Sequence, residues 1–190
     1  MNSNKDIVIR KALPSDAALI GQVVTMALGD DLSLRFGGVS AVDVFGKLAG
    51  CDNTQYSYRN VLVAEVDGCP AGVIVGYDGA KLYELRKPTL AIIEELCGAV
   101  PNIEDETSAG EFYLDSLGVL PAYRGRGIGR ALLVAARDHA FAIGFKKVGL
   151  LVDFDNLRAE ELYSLLGFRR VNETTLLGHA MWHMQVECEY

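Results

Sequence analysis

The sequence predicts a single α/β domain layered around a mixed β-sheet. Strand-like and helix-like segments alternate along the whole chain, and half of the 190 residues are hydrophobic, which is enough for one substantial core. The sequence contains no internal repeat, low-complexity tract or flexible linker. We therefore expect one domain over residues 1–190, with the fold itself covering about 7–188.

The first part of the chain predicts a strand, two helices and a hairpin. Residues 7–13 alternate apolar and polar side chains, as a half-buried strand does. Pro14 then opens a helix, and a weaker helical pattern covers 41–49. Two β-branched runs flank Asp67 and Gly68, a dipeptide that favours a hairpin turn.

The second part predicts an irregular insert followed by a regular alternation of strands and helices. The insert at 79–110 combines a helical pattern that opens at Pro88 with an acidic loop. After it come a strand, a helix, a strand, a helix and two final strands. The segments are FYLDSLGVL, GIGRALLVAARDHAFAIG, KKVGLLVD, NLRAEELYSLLG, FRRVNE and HAMWHMQVEC.

Composition narrows the function classes. The net charge of −7 argues against a nucleic-acid partner, which needs a basic surface. The N-terminal residues lack the pattern of a secretory signal, and no early apolar segment is long enough to span a bilayer. We expect a cytoplasmic protein without a membrane partner, with its four scattered cysteines reduced. We expect no metal site, since His179 and His183 would lie about 13 Å apart on a strand.

A glycine-rich loop, RGRGIG at 124–129, carries the first chemical signature. It follows a strand that Pro121 ends, and it precedes a helix with a continuous buried side. A helix N-terminus offers unpaired N–H groups and partial positive charge, and glycines let an anion reach them. Arg124, Arg126 and Arg130 add donors suited to phosphate. The loop predicts a phosphate or pyrophosphate site, although it matches neither a Walker loop nor a dinucleotide fingerprint.

Two longer motifs include this loop and a later helix. Residues 117–129 read Leu-x-Val-x-Pro-x-x-Arg-x-x-Gly-x-Gly, and residues 156–168 read Asn-x-x-Ala-x-x-x-Tyr-x-x-x-Gly-Phe. In sequence, order and separation these motifs resemble those of the GNAT superfamily of acyl-CoA-dependent N-acyltransferases. The resemblance implies a mostly antiparallel sheet of about seven strands, with helices on both faces and a splayed central strand pair.

The resemblance also implies acetyl-CoA as cosubstrate. Its pyrophosphate would lie on the backbone amides of the glycine loop, and its pantetheine arm would pair with the backbone of Leu117 and Val119, as an added strand would. Asn156 would hydrogen-bond that arm, and Tyr163, about two helical turns further on, would face the sulfur. The implied cofactor-binding residues are Leu117, Gly118, Val119, Arg124, Gly125, Arg126, Gly127, Ile128, Gly129, Arg130 and Asn156.

Acyl transfer from a thioester to an amine needs a neutral amine, and the leaving thiolate gains from a proton donor. Tyr163 is the candidate proton donor to the thiolate. Asp115 is the candidate base, and strand alternation predicts that it shares a side with Leu117 and Val119. Enzymes resembling ribosomal-protein N-terminal acetyltransferases carry a glutamate where this chain has Leu151, which favours Asp115. Alternatively, Asp115 is a solvated or salt-bridged residue of the strand face.

The expected function is transfer of an acetyl group to a primary amine of a small molecule, directly in a ternary complex. The insert is expected to fold over the acceptor side, where its carboxylates at 104–106 would attract a cationic amine or form a solvated acidic loop. A protein-lysine or protein N-terminal acetyltransferase and a non-catalytic acyl-CoA sensor remain alternatives. A homodimer is compatible with the resemblance, and the sequence does not decide it.

Overall fold

The structure is a computed structural model, and it describes residues 7–37, 40–98, 100 and 102–188. Five α-helices and seven strands are assigned within these ranges. The strands are β1 (Ile7–Lys11), β2 (Val61–Val66), β3 (Cys69–Asp78), β4 (Phe112–Val119), β5 (Lys147–Asp153), β6 (Arg169–Leu176) and β7 (His179–Glu187). The helices are α1 (Ala17–Gly37), α2 (Ala41–Ala49), α3 (Leu82–Cys97), α4 (Ile128–Ala142) and α5 (Leu157–Leu165).

The described strands form one mixed sheet in the order β1-β2-β3-β4-β5-β7-β6. Every neighbouring pair is antiparallel except β4 and β5, which run parallel. These two strands pair only through Phe112–Leu114 and Val148–Leu150, and they diverge beyond that point. The predicted mostly antiparallel sheet with a splayed central pair is confirmed.

Helices cover both faces of the sheet. Helices α1, α2 and α3 pack on one face over a buried cluster that includes Val23, Phe45 and Ile93. Helix α4 packs on the other face over a second cluster that includes Leu132 and Leu133. Because β2 and β3 each contribute side chains to both clusters, each strand is buried on both faces.

Helix α3 begins earlier than the sequence pattern predicts. It starts at Leu82, so Pro88 lies in its interior rather than at its opening. Asp78 promotes the earlier start, because its Oδ1 accepts a hydrogen bond of 2.9 Å from the Ala80 backbone N–H in the turn before the helix. The hydroxyl of Thr89, next to the proline, donates a hydrogen bond of 2.8 Å to the Leu85 carbonyl. Half of the insert is therefore a regular helix packed on the core.

A β-bulge interrupts β4 at the point where the central strands separate. The register against β3 places Val75 opposite Ser116 and Gly76 opposite Leu114. Asp115 is therefore the extra residue between two paired positions.

The bulge changes the side on which the following residues of β4 lie. Leu117 and Val119 pack on the α4 side, as Leu114 does. Asp115 instead hydrogen-bonds Tyr77, whose side chain belongs to the cluster on the α1–α3 face. The prediction that Asp115 shares a side with Leu117 and Val119 is wrong, because simple alternation does not survive an inserted residue.

The buried carboxylate of Glu111 packs against Gly149 of β5. Glu111 accepts hydrogen bonds from Thr107 and Gln185, both at 2.7 Å, and lies 2.9 Å from His183 Nε2. Burial by itself would raise the pKa of Glu111, but the hydrogen bonds from these three side chains outweigh it and lower the pKa below its ordinary value. A Cβ placed on Gly149 would collide with this carboxylate.

We expect Gly149→Ala to lower the free energy of unfolding by about 1–3 kcal/mol, as overpacking of a filled core does. Urea denaturation measures the change. Gly46→Ala in α2 is the control, because its added Cβ would lie 3.7 Å from the nearest atom and would remove a glycine from a helix interior. Equal midpoints for Gly149→Ala and the unchanged chain would contradict the packing described above.

None of the described helices has the length and apolar character needed to cross a membrane. Within the described ranges no group of three or more His, Cys, Asp or Glu side chains is placed to hold a metal ion. His179 and His183 both lie on β7, as expected, and their ring nitrogens contact Asp153 at 3.3 Å and Glu111 at 2.9 Å. All four cysteines lie in the described ranges, and none of them forms a disulfide bond.

Candidate functional site

A cleft of about 730 Å³ opens where β4 and β5 diverge, and it joins the two sequence motifs. The end of β4 and the start of α4 form one side, and the start of α5 forms the other. All predicted cofactor-binding residues except Arg126 line it. They are Leu117, Gly118, Val119, Arg124, Gly125, Gly127, Ile128, Gly129, Arg130 and Asn156.

The glycine loop presents bare backbone to this cleft. Gly125 and Gly127 have φ angles of 75° and 80°, in the left-handed region, and a Cβ on either would meet no atom within 4 Å. Gly127 is the N-cap of α4, and its carbonyl accepts the first helical bond, from Ala131 N–H at 3.0 Å. The N–H groups of the three residues before Ala131 lie ahead of that bond and are open to a ligand. This geometry suits a phosphate group, because the N–H groups and the helix dipole favour negative charge.

The arginines of the loop differ in position. Arg124 Nε donates to the Val119 carbonyl at 3.1 Å and ties the loop to the end of β4. Arg126 instead lies over the ring of Tyr123, with its Cζ 5.4 Å from the ring centroid, and bonds the Ala122 carbonyl at 3.1 Å. Arg126 therefore does not line the cleft in this structure, because the aromatic ring and the carbonyl hold it outside.

Gly118 has a packing role that the motif alone did not reveal. A Cβ at this position would lie 2.5 Å from Val23 Cγ1 on α1. The glycine lets α1 approach β4 closely while its backbone still borders the cleft.

Helix α5 lines the cleft through its N-cap Asn156 and through Arg158, Ala159 and Leu162, and Tyr163 lies just beyond. Asn156 is the N-cap of α5, where its Oδ1 accepts a hydrogen bond of 3.2 Å from Ala159 N–H. Its side-chain NH₂ has no donor interaction within the described part of the chain and is available to a ligand. Tyr163 does not line the cleft, but lies about one turn beyond Ala159 and packs near Phe168, with ring centroids 6.1 Å apart.

The environment of Tyr163 keeps its phenol protonated. Burial raises the pKa of Tyr163 to about 12, because the phenolate would lose its hydration. A phenol that remains protonated at neutral pH is able to donate a proton to a leaving thiolate.

Asp115 belongs to a hydrogen-bonded carboxyl cluster beneath the insert. Its Oδ1 accepts from Ser116 Oγ at 2.7 Å, and its Oδ2 accepts from Tyr77 Oη at 3.0 Å. The same Tyr77 hydroxyl lies 3.0 Å from Glu106 Oε1, which also accepts from Gln55 Nε2 at 2.6 Å. Asp115 is therefore not a solvated residue of the strand face but part of a buried network.

The two carboxyl groups of this cluster both resist ionisation. Burial and the nearby Asp115 raise the pKa of Glu106 to about 7, although Arg86 Nη2, at 3.5 Å, lowers it in part. Burial likewise raises the pKa of Asp115, against the hydrogen bonds from Ser116 and Tyr77. A carboxyl group that titrates near neutral pH has the properties of a general base.

Glu106 is the functional candidate that the sequence interpretation missed, since it treated residues 104–106 as one acidic loop. The structure separates them. Glu104 Oε2 accepts from the Leu177 backbone N–H at 2.9 Å, and Asp105 pairs with Arg86 Nη1 at 3.0 Å. The Glu104 contact holds the insert against the β6–β7 turn, and the Asp105 contact holds the loop against α3. The three carboxylates therefore do not form the solvated acidic loop that was one of the two sequence interpretations. Nothing in the local sequence distinguishes Glu106 from its two neighbours.

Known acetyltransferases resemble this chain in sequence and in fold. Among curated proteins, mycothiol acetyltransferase from Gordonia bronchialis is 36% identical over 101 residues, which is 53% of this chain and 29% of the relative. The chain thus matches less than a third of that relative's length.

Two solved structures match nearly the whole chain. An acetyltransferase is 32% identical, with a TM-score of 0.80 and coverage of 96% of this chain and 100% of that one. An N-acetyltransferase from Staphylococcus aureus Mu50 is 26% identical, with a TM-score of 0.78 and coverage of 94% and 100%. The family model described as acetyltransferase (GNAT) family matches residues 45–168, a range that contains the glycine loop, Asp115 and both motifs. The chain therefore belongs to the acetyltransferase (GNAT) family.

Proposed function

We propose that this chain is an N-acetyltransferase that transfers the acetyl group of acetyl-CoA to a primary amine of a small molecule. The single observation that carries the proposal is the cleft that joins the open N–H groups of the glycine loop, the free edge of β4 and Asn156. The open N–H groups suit a pyrophosphate, and the free edge of β4 suits the amide-bearing pantetheine arm. The side-chain amide of Asn156 is able to hydrogen-bond that arm. The whole chain is proposed to act as one domain.

The proposed chemistry is direct transfer. The amine nitrogen attacks the thioester carbonyl carbon, a C–N bond forms, and the C–S bond breaks. The carboxyl cluster that contains Asp115 accepts the amine proton, and Tyr163 donates a proton to the departing thiolate. The position of Asp115 supports its part, because the bulge places it at the point where β4 leaves β5. The position of Tyr163, about one turn beyond Ala159 at the cleft, supports the other part.

The curated relatives support a small-molecule acceptor, because they are named mycothiol acetyltransferases. Because the chain covers only 29% of the first of these relatives, the acceptor of this chain has to be found by experiment. Free-thiol release from acetyl-CoA, measured against polyamines, amino sugars, amino-acid derivatives and a lysine-containing peptide, tests the proposal. We expect release with at least one small amine and a much lower kcat/KM with the peptide. Release with the peptide alone would contradict the acceptor class, and no release with any amine would contradict the activity.

A further inference from the structure

One oxygen atom in the carboxyl cluster lacks an internal partner. Glu106 Oε1 is fully engaged by Gln55, Tyr77 and Arg86. Within the described ranges, no group donates a hydrogen bond to Glu106 Oε2. Asp115, by contrast, has Ser116 on one oxygen and Tyr77 on the other.

Glu106 lies between two separate spaces. On one side it borders a small cavity of about 60 Å³, which Tyr113 and Asp115 also line. On the other it borders an open cleft of about 340 Å³. That cleft includes Leu151, the first residue of β5 beyond its pairing with β4. The open cleft therefore reaches the point where the central strands begin to separate, and Asp115 does not line it.

The open cleft is polar, and its charged members are mostly acidic. Asp105 and Glu111 line it together with Glu106. Its other lining residues are Thr107, Ser108, Leu151, Asn172, Thr174 and His183. Such a lining suits a cationic amine that carries neighbouring hydroxyl or amide groups better than an apolar amine.

We propose that Glu106 binds the acceptor amine in this cleft and takes its proton, while Asp115 acts through Tyr77 as a positioning residue. This inference rests on the proposed acetyltransferase function. An amine that binds as the cation first loses one proton to solvent, because only the neutral amine attacks. In the transfer step the amine nitrogen forms the C–N bond, its proton passes to the Glu106 carboxylate, and the C–S bond breaks with protonation of the sulfur from Tyr163. The protonated Glu106 then releases its proton to solvent, and the Tyr163 phenolate takes a proton from solvent.

The shared hydroxyl explains why Asp115 matters without touching the amine. Tyr77 has one hydroxyl proton, yet its Oη lies 3.0 Å from an oxygen of each carboxyl group. The pair therefore holds a proton more readily than either group alone, since two buried like charges repel each other. This coupling raises the basicity of Glu106, the member of the pair that lines the cleft.

The other charged and titratable groups around Glu106 come from every element packed against it. Among the residues that the structure describes, Arg86 of α3 is the one cation that contacts Glu106, and it favours the carboxylate. The remaining groups are Tyr56 before β2, Tyr77 of β3, Asp105 and Glu111 of the insert, Tyr113 and Asp115 of β4, and His183 of β7. Since burial and Asp115 raise the pKa of Glu106 to about 7, activity should fall as the pH drops below about 7.

The test is the pH profile of kcat/KM for the best amine in Glu106→Gln, Asp115→Asn and Tyr77→Phe. In the unchanged protein we expect kcat/KM to fall below about pH 7, and we call this fall the acidic limb of the profile. We expect Glu106→Gln to lower kcat/KM by roughly 10²–10⁴-fold and to remove the limb, with CoA affinity unchanged. Asp115→Asn should keep the limb but move it to lower pH, because the like charge is removed. Tyr77→Phe should also keep the limb and change its position, because the hydroxyl that couples the carboxyl groups is lost.

Glu95→Gln, on the exposed surface of α3, is the matched control and should leave the profile unchanged. A Glu106→Gln variant that binds CoA normally, and that keeps both its rate and its limb, would overturn the inference while the proposed function survives. Disappearance of the limb in Asp115→Asn but not in Glu106→Gln would assign the base to Asp115 and overturn it as well. Absence of turnover with every amine in the unchanged protein would overturn the proposed function and this inference together.

Discussion

Replacement of Tyr163 by phenylalanine should lower kcat by about 10²–10⁴-fold while the dissociation constant for CoA stays within a few-fold of its original value. The phenol is the proposed proton donor to the departing thiolate, and its pKa of about 12 keeps it protonated through the working pH range. The ring itself packs near Phe168 on the core side of α5, and phenylalanine preserves that packing. Steady-state kinetics with the most active amine, together with a CoA titration, measures both quantities.

Tyr58→Phe is the matched control for this substitution. It removes a phenol hydroxyl that bonds Asp52 at 2.8 Å, on a part of the chain that does not line the cleft between β4 and α5. We expect it to leave kcat unchanged. A Tyr163→Phe enzyme that turns over every active amine at the original rate would remove Tyr163 from the mechanism.

Gly127→Val should weaken CoA binding by at least about 100-fold, and turnover at low CoA concentration should fall with it. The residue has a φ of 80°, where an L-residue is strained by roughly 1–2 kcal/mol, and a β-branched side chain makes this worse. The new side chain would also stand in the open space before the N–H groups of α4. Calorimetric titration with CoA measures the loss.

Gly144→Val separates the two causes. Gly144 has a φ of 100° and, like Gly127, open space at its Cβ position, but it follows the other end of α4 and lies away from the cleft. Both variants should lose similar amounts of stability in urea, while Gly144→Val keeps its CoA affinity. Equal losses of affinity in the two variants would show that strain alone, rather than obstruction of the loop, causes the effect.

The fold and the proposed cofactor side of the site follow closely from local sequence. The glycine loop, the helix after it and the N-cap Asn156 depend on backbone conformations that neighbouring residues determine. The structure brings these segments to one cleft in the arrangement that the two motifs indicate. Arg126 is the exception, because its position depends on contacts with Tyr123 and Ala122 that the motif does not specify.

The acceptor side depends on tertiary contacts that no short pattern encodes. The side of the strand on which Asp115 lies is set by one inserted residue relative to β3, and the two strands are separated by more than 30 residues of chain. Glu106 differs from Glu104 and Asp105 only through its contacts with Gln55 and Tyr77, which come from distant parts of the sequence. Helix α3 begins before Pro88 for the same kind of reason, since Asp78 caps the short turn that leads into it and Leu82 and Leu85 of its first turns pack on the core.

Titration of the purified chain with CoA tests the central claim most directly, namely that the glycine loop at the start of α4 binds the pyrophosphate of this nucleotide. We predict saturable heat with one site per chain, competition by acetyl-CoA, and loss of the signal in Gly127→Val but not in Gly144→Val. No measurable heat at millimolar CoA, or equal heat in the two valine variants, would contradict the account.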